Sequence, residues 1–366
     1  MKILFLTIGT EIVASSRTRV YQFLPHLKKA GVEAVVMPYD YTETFANIII
    51  PIFAKSRPPL KLLRKAVSFC SNLLNIVIRL LQTIRFLSSL RRFDVIYIQK
   101  LALPVFLQNL IKRANPNIAF DFDDAVFIKD ESGYKARFDH MITSAGLVTV
   151  ENDYTTDYAR RLNAPVLRMT GPIDCSRYTP RPGPKTPGED IVIGWIGSDS
   201  TAEYLLPVAG ALKILCEEHP NLHLEFIGAR KLDALGGRSI YKKWAFGSEA
   251  ADLKNFDIGI MPLPDNEWTR GKGGYKILQY MAAGIPSVAS PVGINSLLIR
   301  DGETGFLATT PGEWRDRLKK LITDAGLRRF MGKSARKEAE EKYSFEFYTP
   351  QLISRLEGLK RTSRSV

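Results

Sequence analysis

Asp265 to Pro286 reads DNEWTRGKGGYKILQYMAAGIP, and this stretch decides the fold. It follows an apolar strand candidate, Ile258 to Leu263, that ends in Pro-Asp. It supplies the cations Arg270, Lys272 and Lys276, a Gly273-Gly274 pair, and an amphipathic run from Tyr275. Glycines ahead of a helix let backbone N–H groups approach an anion without an intervening Cβ. The helix N-terminus adds about half a positive charge, and each lysine adds a whole one. Strand, glycine loop, helix and cations together describe a diphosphate cradle. The pattern also fits a glycine loop that packs an ordinary βα turn beside a solvated basic patch.

Outward from this segment the chain repeats one pattern twice. In the first half, apolar runs at Lys2 to Gly9, Glu33 to Pro38, Asp94 to Gln99, Ile118 to Phe122 and Leu147 to Val150 read as strands. A helix is predicted from about Ser15 to Ala30, and another from about Thr155. Pro180, Pro182, Pro184 and Pro187, with Gly183 and Gly188, then mark a linker. The second half restarts with strands at Ile191 to Gly197, Leu222 to Gly228, Ile258 to Leu263 and Ser287 to Ser290. A helix is predicted from about Ala202 to His219, helical sequence from Glu313 onward, and a terminal helix from Phe345 to Leu359. Such alternation predicts parallel sheets with ligands at the carboxyl ends of the strands. The division is then 1–180, a linker at 181–190, a second domain at 191–343, and a terminal helix at 344–366.

GYKILQYMAAGIPSVASPVG, from Gly274 to Gly293, resembles the donor-binding segment of glycosyltransferase family 4, the glycosyl transferases group 1. The resemblance covers most of Ile191 to Tyr343 and the first half loosely. It implies an α/β fold of GT-B type: two facing Rossmann-like domains with parallel sheets and an interdomain cleft. It also implies a retaining transfer from a nucleotide-diphosphate sugar, with 191–343 as the nucleotide-sugar domain and 344–366 as a helix returning to the first, acceptor-side domain. In that family two glutamates, with seven residues between them, bracket the loop and helix start. Here Gln279 stands at the second and Gly271 at the first, so both carboxylates are missing. Glutamine can still hydrogen-bond ribose hydroxyls; glycine cannot replace a carboxylate facing the sugar. The family's histidine near the reacting sugar corresponds to Asp123.

Candidate chemistry sits at strand ends. Gly197-Ser198 is placed to touch a donor phosphate, or is simply a tight βα turn. Gly9-Thr10 occupies the matching place in the first half, followed by Ser15, Ser16, Arg17 and Arg19. These hydroxyls and guanidiniums suit an acceptor or donor phosphate, and equally an N-cap and solvated first turn. Asp123 or Asp124, after Asp121, is a cleft carboxylate that positions an acceptor or sugar, a magnesium ligand, or a helix cap. Asp265 and Glu267 are the other carboxylates able to reach donor-sugar hydroxyls, and Trp268 could stack on a sugar or base. No metal is required, because Lys272, Lys276, Arg270 and the amides of Gly273 to Lys276 would stabilise the leaving phosphate. The nucleotide sugar is a co-substrate, and no resident cofactor is expected.

Composition narrows the classes. The chain has 366 residues, enough for about two domains. Its three cysteines, Cys70, Cys175 and Cys216, show no metal or disulfide pattern and suit a reducing cytoplasm. MKILFLTIGT reads as a first strand rather than a signal peptide. The four histidines show neither metal spacing nor a nucleophile arrangement. Net charge is +13, and residues 53–93 carry nine cations and no carboxylate, interleaved with leucine, isoleucine and valine at helical spacings. A basic amphipathic helix predicts peripheral association with the inner face of the cell membrane, each cation contributing about 1 kcal/mol near anionic lipid. A core-facing helix with a basic outer face remains the alternative. Nucleic acid is disfavoured by sparse aromatics and the lack of a recognition motif. A dinucleotide-dependent oxidoreductase is disfavoured because neither half has G-x-G-x-x-G with an acidic residue about 20 positions on. The reading is a glycosyltransferase acting on a lipid-linked or membrane-proximal glycan acceptor in cell-surface polysaccharide biosynthesis. The alternative is a catalytically weakened protein that binds nucleotide sugar.

Overall fold

In the computed structural model, residues 1–38, 85–128, 133–181, 189–236 and 238–362 are described. Most of the basic stretch 53–93 lies outside them, with 85–90 helical, and so does most of the proline-rich linker, 182–188. Among the described residues, twelve strands form two six-stranded sheets. The first contains β1 (Lys2–Thr7), β2 (Glu33–Pro38), β3 (Val95–Gln99), β4 (Ile118–Asp121), β5 (Leu147–Val150) and β6 (Val166–Arg168) in the order β2-β1-β3-β4-β5-β6. The second contains β7 (Ile191–Ile196), β8 (Leu222–Ile227), β9 (Ser239–Lys242), β10 (Ile258–Met261), β11 (Ser287–Ala289) and β12 (Gly305–Leu307) in the order β12-β11-β10-β7-β8-β9. The pairings are parallel, with Leu4 opposite Ile96 and Trp195 opposite Phe226.

Parallel strands buried on both faces read as unbroken apolar runs. β3 and β10 are buried at every position, which is why the sequence announces them. The three strands the sequence did not announce, β6, β9 and β12, are the short outer members of their sheets. β6 and β9 are only partly buried and β12 is three residues long, so no continuous hydrophobic run marks them.

Two predicted helices are broken near prolines. Ser15 to Ala30 is a helix at Ala14–Arg19, a 3₁₀ turn at Tyr21–Phe23 and a second helix at Leu24–Lys29. Ala202 to His219 becomes a 3₁₀ segment at Asp199–Leu205 and a helix at Leu206–Glu218. Pro25 and Pro207 each sit at the start of the second piece, where a missing N–H is harmless, and each would clash inside a continuous helix.

The second sheet separates two cores. Ile193, Trp195, Leu224, Phe226, Ile258 and Ile260 face one side, with Leu212 and Trp314 packed on them. Ile196, Ile227 and Met261 face the other, under Ile277, Leu278 and Met281. Helices therefore cover both faces, the doubly wound arrangement. By its contacts the chain divides into Met1–Asp121 with Ser132–Val148 and Arg355–Val366, and Phe122–Glu131 with Thr149–Ser354. Helix Phe345–Thr362 is continuous, and its end belongs to the first unit, where Lys360 pairs with Asp94 at 2.7 Å.

Candidate functional site

In a doubly wound sheet, ligands bind at strand carboxyl ends where the strand order reverses. In the second sheet the reversal lies between β7 and β10. β7 runs out into Gly197-Ser198. A Cβ built on Gly197 would lie 2.4 Å from the Trp195 ring and 2.7 Å from Cε of Lys276. Only glycine lets the lysine stem cross this strand end. Lys276 comes from the first turn of helix Tyr275–Ala282, and its Nζ sits 5.0 Å over the Trp195 ring. That helix opens on Gly274 in the left-handed region, φ 68°, with no capping side chain. Sequence-distant Gly197, Gly274 and Lys276 are thus brought to one strand mouth.

Burial pushes the Lys276 ammonium down to about 8; Lys272 pushes the same way, and Asp124 opposes both. Lys272 holds its Nζ 5.2 Å over Trp268, the ring considered for sugar stacking. Asp124 has a left-handed backbone, φ 52°, uncommon for a residue with a Cβ. Besides Lys276 its charge reaches Tyr204, whose hydroxyl is pushed up by burial first and then by Asp124 and Glu203. Asp123 is half-buried in the same turn.

Gly271 explains one missing family carboxylate. A Cβ there would lie 2.3 Å from Cβ of Ala125 and 2.7 Å from its nitrogen, so no side chain fits. Gln279 is 4% exposed and donates to the Tyr178 hydroxyl at 3.3 Å. Tyr178 in turn donates to Glu249, which also accepts from Trp244. Ser198 lies exposed against Ser200 at 2.9 Å. Arg270 is clamped at the surface by Asp265, at 2.6 and 3.0 Å, and Glu267 is exposed on the same short helix, Glu267–Arg270.

Two residues of this site were not anticipated. The Glu151 carboxylate presses on the glycine loop: a Cβ on Gly273 would fall 1.7 Å from its Oε2. Asn152 Nδ2 donates to the Lys272 carbonyl at 3.0 Å. Both follow β5 directly, so their only sequence signal is a polar pair closing a four-residue apolar strand.

In the first unit, Ser15 and Ser16 are tied to Gln99 at the end of β3. Ser16 is fully buried, and Arg17 donates to the carbonyls of Glu11 and Ile12 at 3.2 Å. The solvated first turn considered for Arg19 is not what forms. Its guanidinium and the Asp121 carboxylate pair with both side chains 0% exposed, and the Tyr97 hydroxyl donates to Asp121 at 3.0 Å. The fold spends Arg19 and Asp121 on joining the first helix to β4. Breaking a buried pair leaves an uncompensated charge, so Asp121→Ala should lower unfolding free energy by about 3–5 kcal/mol. Urea denaturation checks this, and a loss under about 1 kcal/mol would remove the buried-pair account. Among the described residues, no three of His, Cys, Asp and Glu gather as metal ligands.

Residues 191–324 match the family Glycosyl transferases group 1. A 161-residue stretch is 24% identical to spore coat protein SA of Bacillus subtilis, covering 39% of this chain and 42% of that protein. The chain thus spans under half the length of this relative. Among solved structures, Anabaena HepE in complex with UDP is 14% identical over the whole of both chains, TM-score 0.60. Sucrose-phosphate synthase from Thermosynechococcus elongatus is 12% identical, TM-score 0.63, over 100% of this chain and 98% of that one. A glycosyltransferase from Rickettsia africae is 12% identical, TM-score 0.67, over 98% of each chain. The fold is α/β of GT-B type, and within it residues 191–324 are the part similar to the group 1 glycosyl transferases.

Proposed function

We propose that this chain transfers a sugar from a nucleoside-diphosphate sugar to a lipid-linked or membrane-proximal glycan acceptor in surface polysaccharide assembly. The observation that carries the reading is Lys276 laid across Gly197 at the sheet reversal, beside a helix that opens on Gly274. Similar structures hold UDP, which makes UDP-sugars the first donors to try. The acceptor rests on the basic composition of residues 53–93.

Cleavage of the sugar–phosphate bond builds negative charge on the leaving diphosphate. Lys276, Lys272 and the first-turn amides meet that charge where it develops, in a half-buried site where each interaction counts for more than in water. Arg270, clamped by Asp265, contributes at the rim. With retention, the acceptor hydroxyl attacks from the leaving-group face, and the departing phosphate oxygen accepts its proton. Asp123 or Asp124 positions the acceptor. No metal is required by this scheme, because cations of the chain supply the neutralising charge.

A thermal-shift screen against nucleoside-diphosphate sugars, followed by assay of nucleotide release, tests the reading. No stabilisation by any donor would overturn it. The missing carboxylates at Gly271 and Gln279 favour a second reading, a weakened relative that binds donor without turning it over. Donor binding without transfer or hydrolysis would select it.

Donor affinity should also depend on pH. Lys276 stands near 8 in the free chain, and a bound diphosphate favours its ammonium form. Affinity is therefore flat below about pH 7 and falls by up to about tenfold per pH unit above 8, until the complex's own value is passed. Calorimetric titration from pH 6.5 to 10 checks this. A flat profile would take Lys276 out of donor binding.

A further inference from the structure

The second unit has another charged feature, at the opposite ends of its strands. A cavity of about 310 Å³ opens beside Phe256 and Asp257, just before β10, and Ile285 and Pro286, just before β11. One face of helix Ala325–Glu338 forms its wall. Its lining includes six cations, Arg181, Lys254, Arg328, Arg329, Lys333 and Arg336, against the single carboxylate of Asp257.

The partners sort these cations. Asp257 is already paired with Arg181 at 2.6 Å. Arg336 is held by Glu340 at 2.5 Å and by the Tyr178 carbonyl. Arg328 is 8% exposed and spends only Nη1, on the carbonyls of Leu321 and Ile322 that end helix Pro311–Thr323. Burial holds its guanidinium below the ordinary range, opposed by Asp257 and Asp324. Lys254, Arg329 and Lys333 make no ion pair among the described residues. Arg329 and Lys333 stand one helical turn apart, a like-charge spacing that weakens a helix unless something neutralises it.

We propose that this cavity binds a multiply charged phosphate anion, either a soluble diphosphate or a diphosphate-bearing lipid head group. The three unpaired cations and the remaining donors of Arg328 match the charge of a diphosphate. The planar fork of arginine matches phosphoryl oxygens bidentately. The volume is at the small end for ligand sites and has no room for a polymer strand with its bases. Phe256, Ile285 and Pro286 give the site an apolar floor that lowers the local dielectric and strengthens each pairing. This site does not depend on the transferase reading.

The test is calorimetric titration of the full chain with sodium pyrophosphate, repeated with Lys276→Ala, with Arg329→Glu/Lys333→Glu, and with the milder Arg329→Gln/Lys333→Gln. Both positions are exposed, and thermal melts check that the variants stay folded. In the Lys276→Ala background, which weakens the strand-end site, pyrophosphate still binds. Adding the Glu substitutions weakens that remaining binding tenfold or more, and the Gln pair weakens it less. A second arm measures co-sedimentation with phosphatidylcholine vesicles containing a prenyl diphosphate or, at equal net charge, phosphatidylglycerol, which controls for the basic stretch 53–93. Loss of pyrophosphate binding alone identifies a soluble ligand, and loss of the preference for prenyl diphosphate over phosphatidylglycerol as well identifies a lipid head group. Pyrophosphate binding unchanged within twofold in both 329/333 variants overturns the site. If Lys276→Ala leaves binding untouched while the 329/333 variants abolish it, the donor reading fails and this site stands.

Discussion

Lys276→Ala should lower sugar transfer by about 100-fold or more, roughly 2.7 kcal/mol of transition-state stabilisation, while the protein stays folded. The size follows from where the charge sits. The ammonium is half-buried beside the Trp195 ring and Gly197, at the strand end where the leaving phosphate is proposed to develop charge. Burial has already lowered the group to about 8, so the fold carries an unfavourable charge below that pH. The sign is the reverse of a stabilising lysine: the unfolded chain binds the proton more tightly than the fold does, and stability is lost as pH falls from the unfolded value toward 8. Lys276→Met should therefore raise the melting temperature at pH 7 by a few degrees while turnover is lost, with the gain vanishing above about pH 10.5. A lysine kept at a cost to stability is what a functional site looks like. Steady-state kinetics and paired melts at two pH values measure both. Near-normal turnover would count heavily against the cradle.

Gly273→Ala should weaken donor binding by about 10- to 100-fold, which is the cost of a displaced loop rather than of a lost charge. An added methyl would fall 1.7 Å from Oε2 of Glu151, so either the glycine loop or the carboxylate must move. The loop is tethered to the same strand end by Asn152 through the Lys272 carbonyl, with Lys272 directly before its glycines and Lys276 two residues after them. A shift therefore displaces both cations. If this steric account is right, removing the obstacle restores room: Gly273→Ala with Glu151→Ala binds donor better than Gly273→Ala alone. The double-mutant cycle gives an interaction energy of about 1–3 kcal/mol of favourable sign. Additive losses would mean that Glu151 and Gly273 act separately.

How much of this was legible beforehand follows from what each feature contributes to local sequence. β3 and β10 announce themselves because both their faces are buried. The Gly273-Gly274 pair and the lysines that flank it, Lys272 and Lys276, lie within five residues, so their convergence needs no long-range knowledge. Gly197 was legible as a strand end. That Lys276 crosses it was not, because 79 positions separate the two and only the β7–β10 pairing joins them. Glu151 and Asn152 stayed hidden for the same reason. Their contact with the glycine loop spans more than a hundred residues of chain. Arg19 shows the opposite failure. Its place in a first turn looked like a solvent-facing position, yet its partner Asp121 lies 102 residues away and the pair is buried. Single-sequence periodicity carries no such pairing. The broken helices were visible in principle, since Pro25 and Pro207 forbid continuity, but the apolar period on either side ran through them.

The most direct test of the diphosphate cradle is the titration of Lys276 itself, followed by NMR of 13Cε-labelled lysine, assigned with Lys276→Arg, with and without pyrophosphate. The free chain should show a midpoint near 8, and pyrophosphate should raise it by about a unit or more. A midpoint unmoved by saturating pyrophosphate would contradict the account.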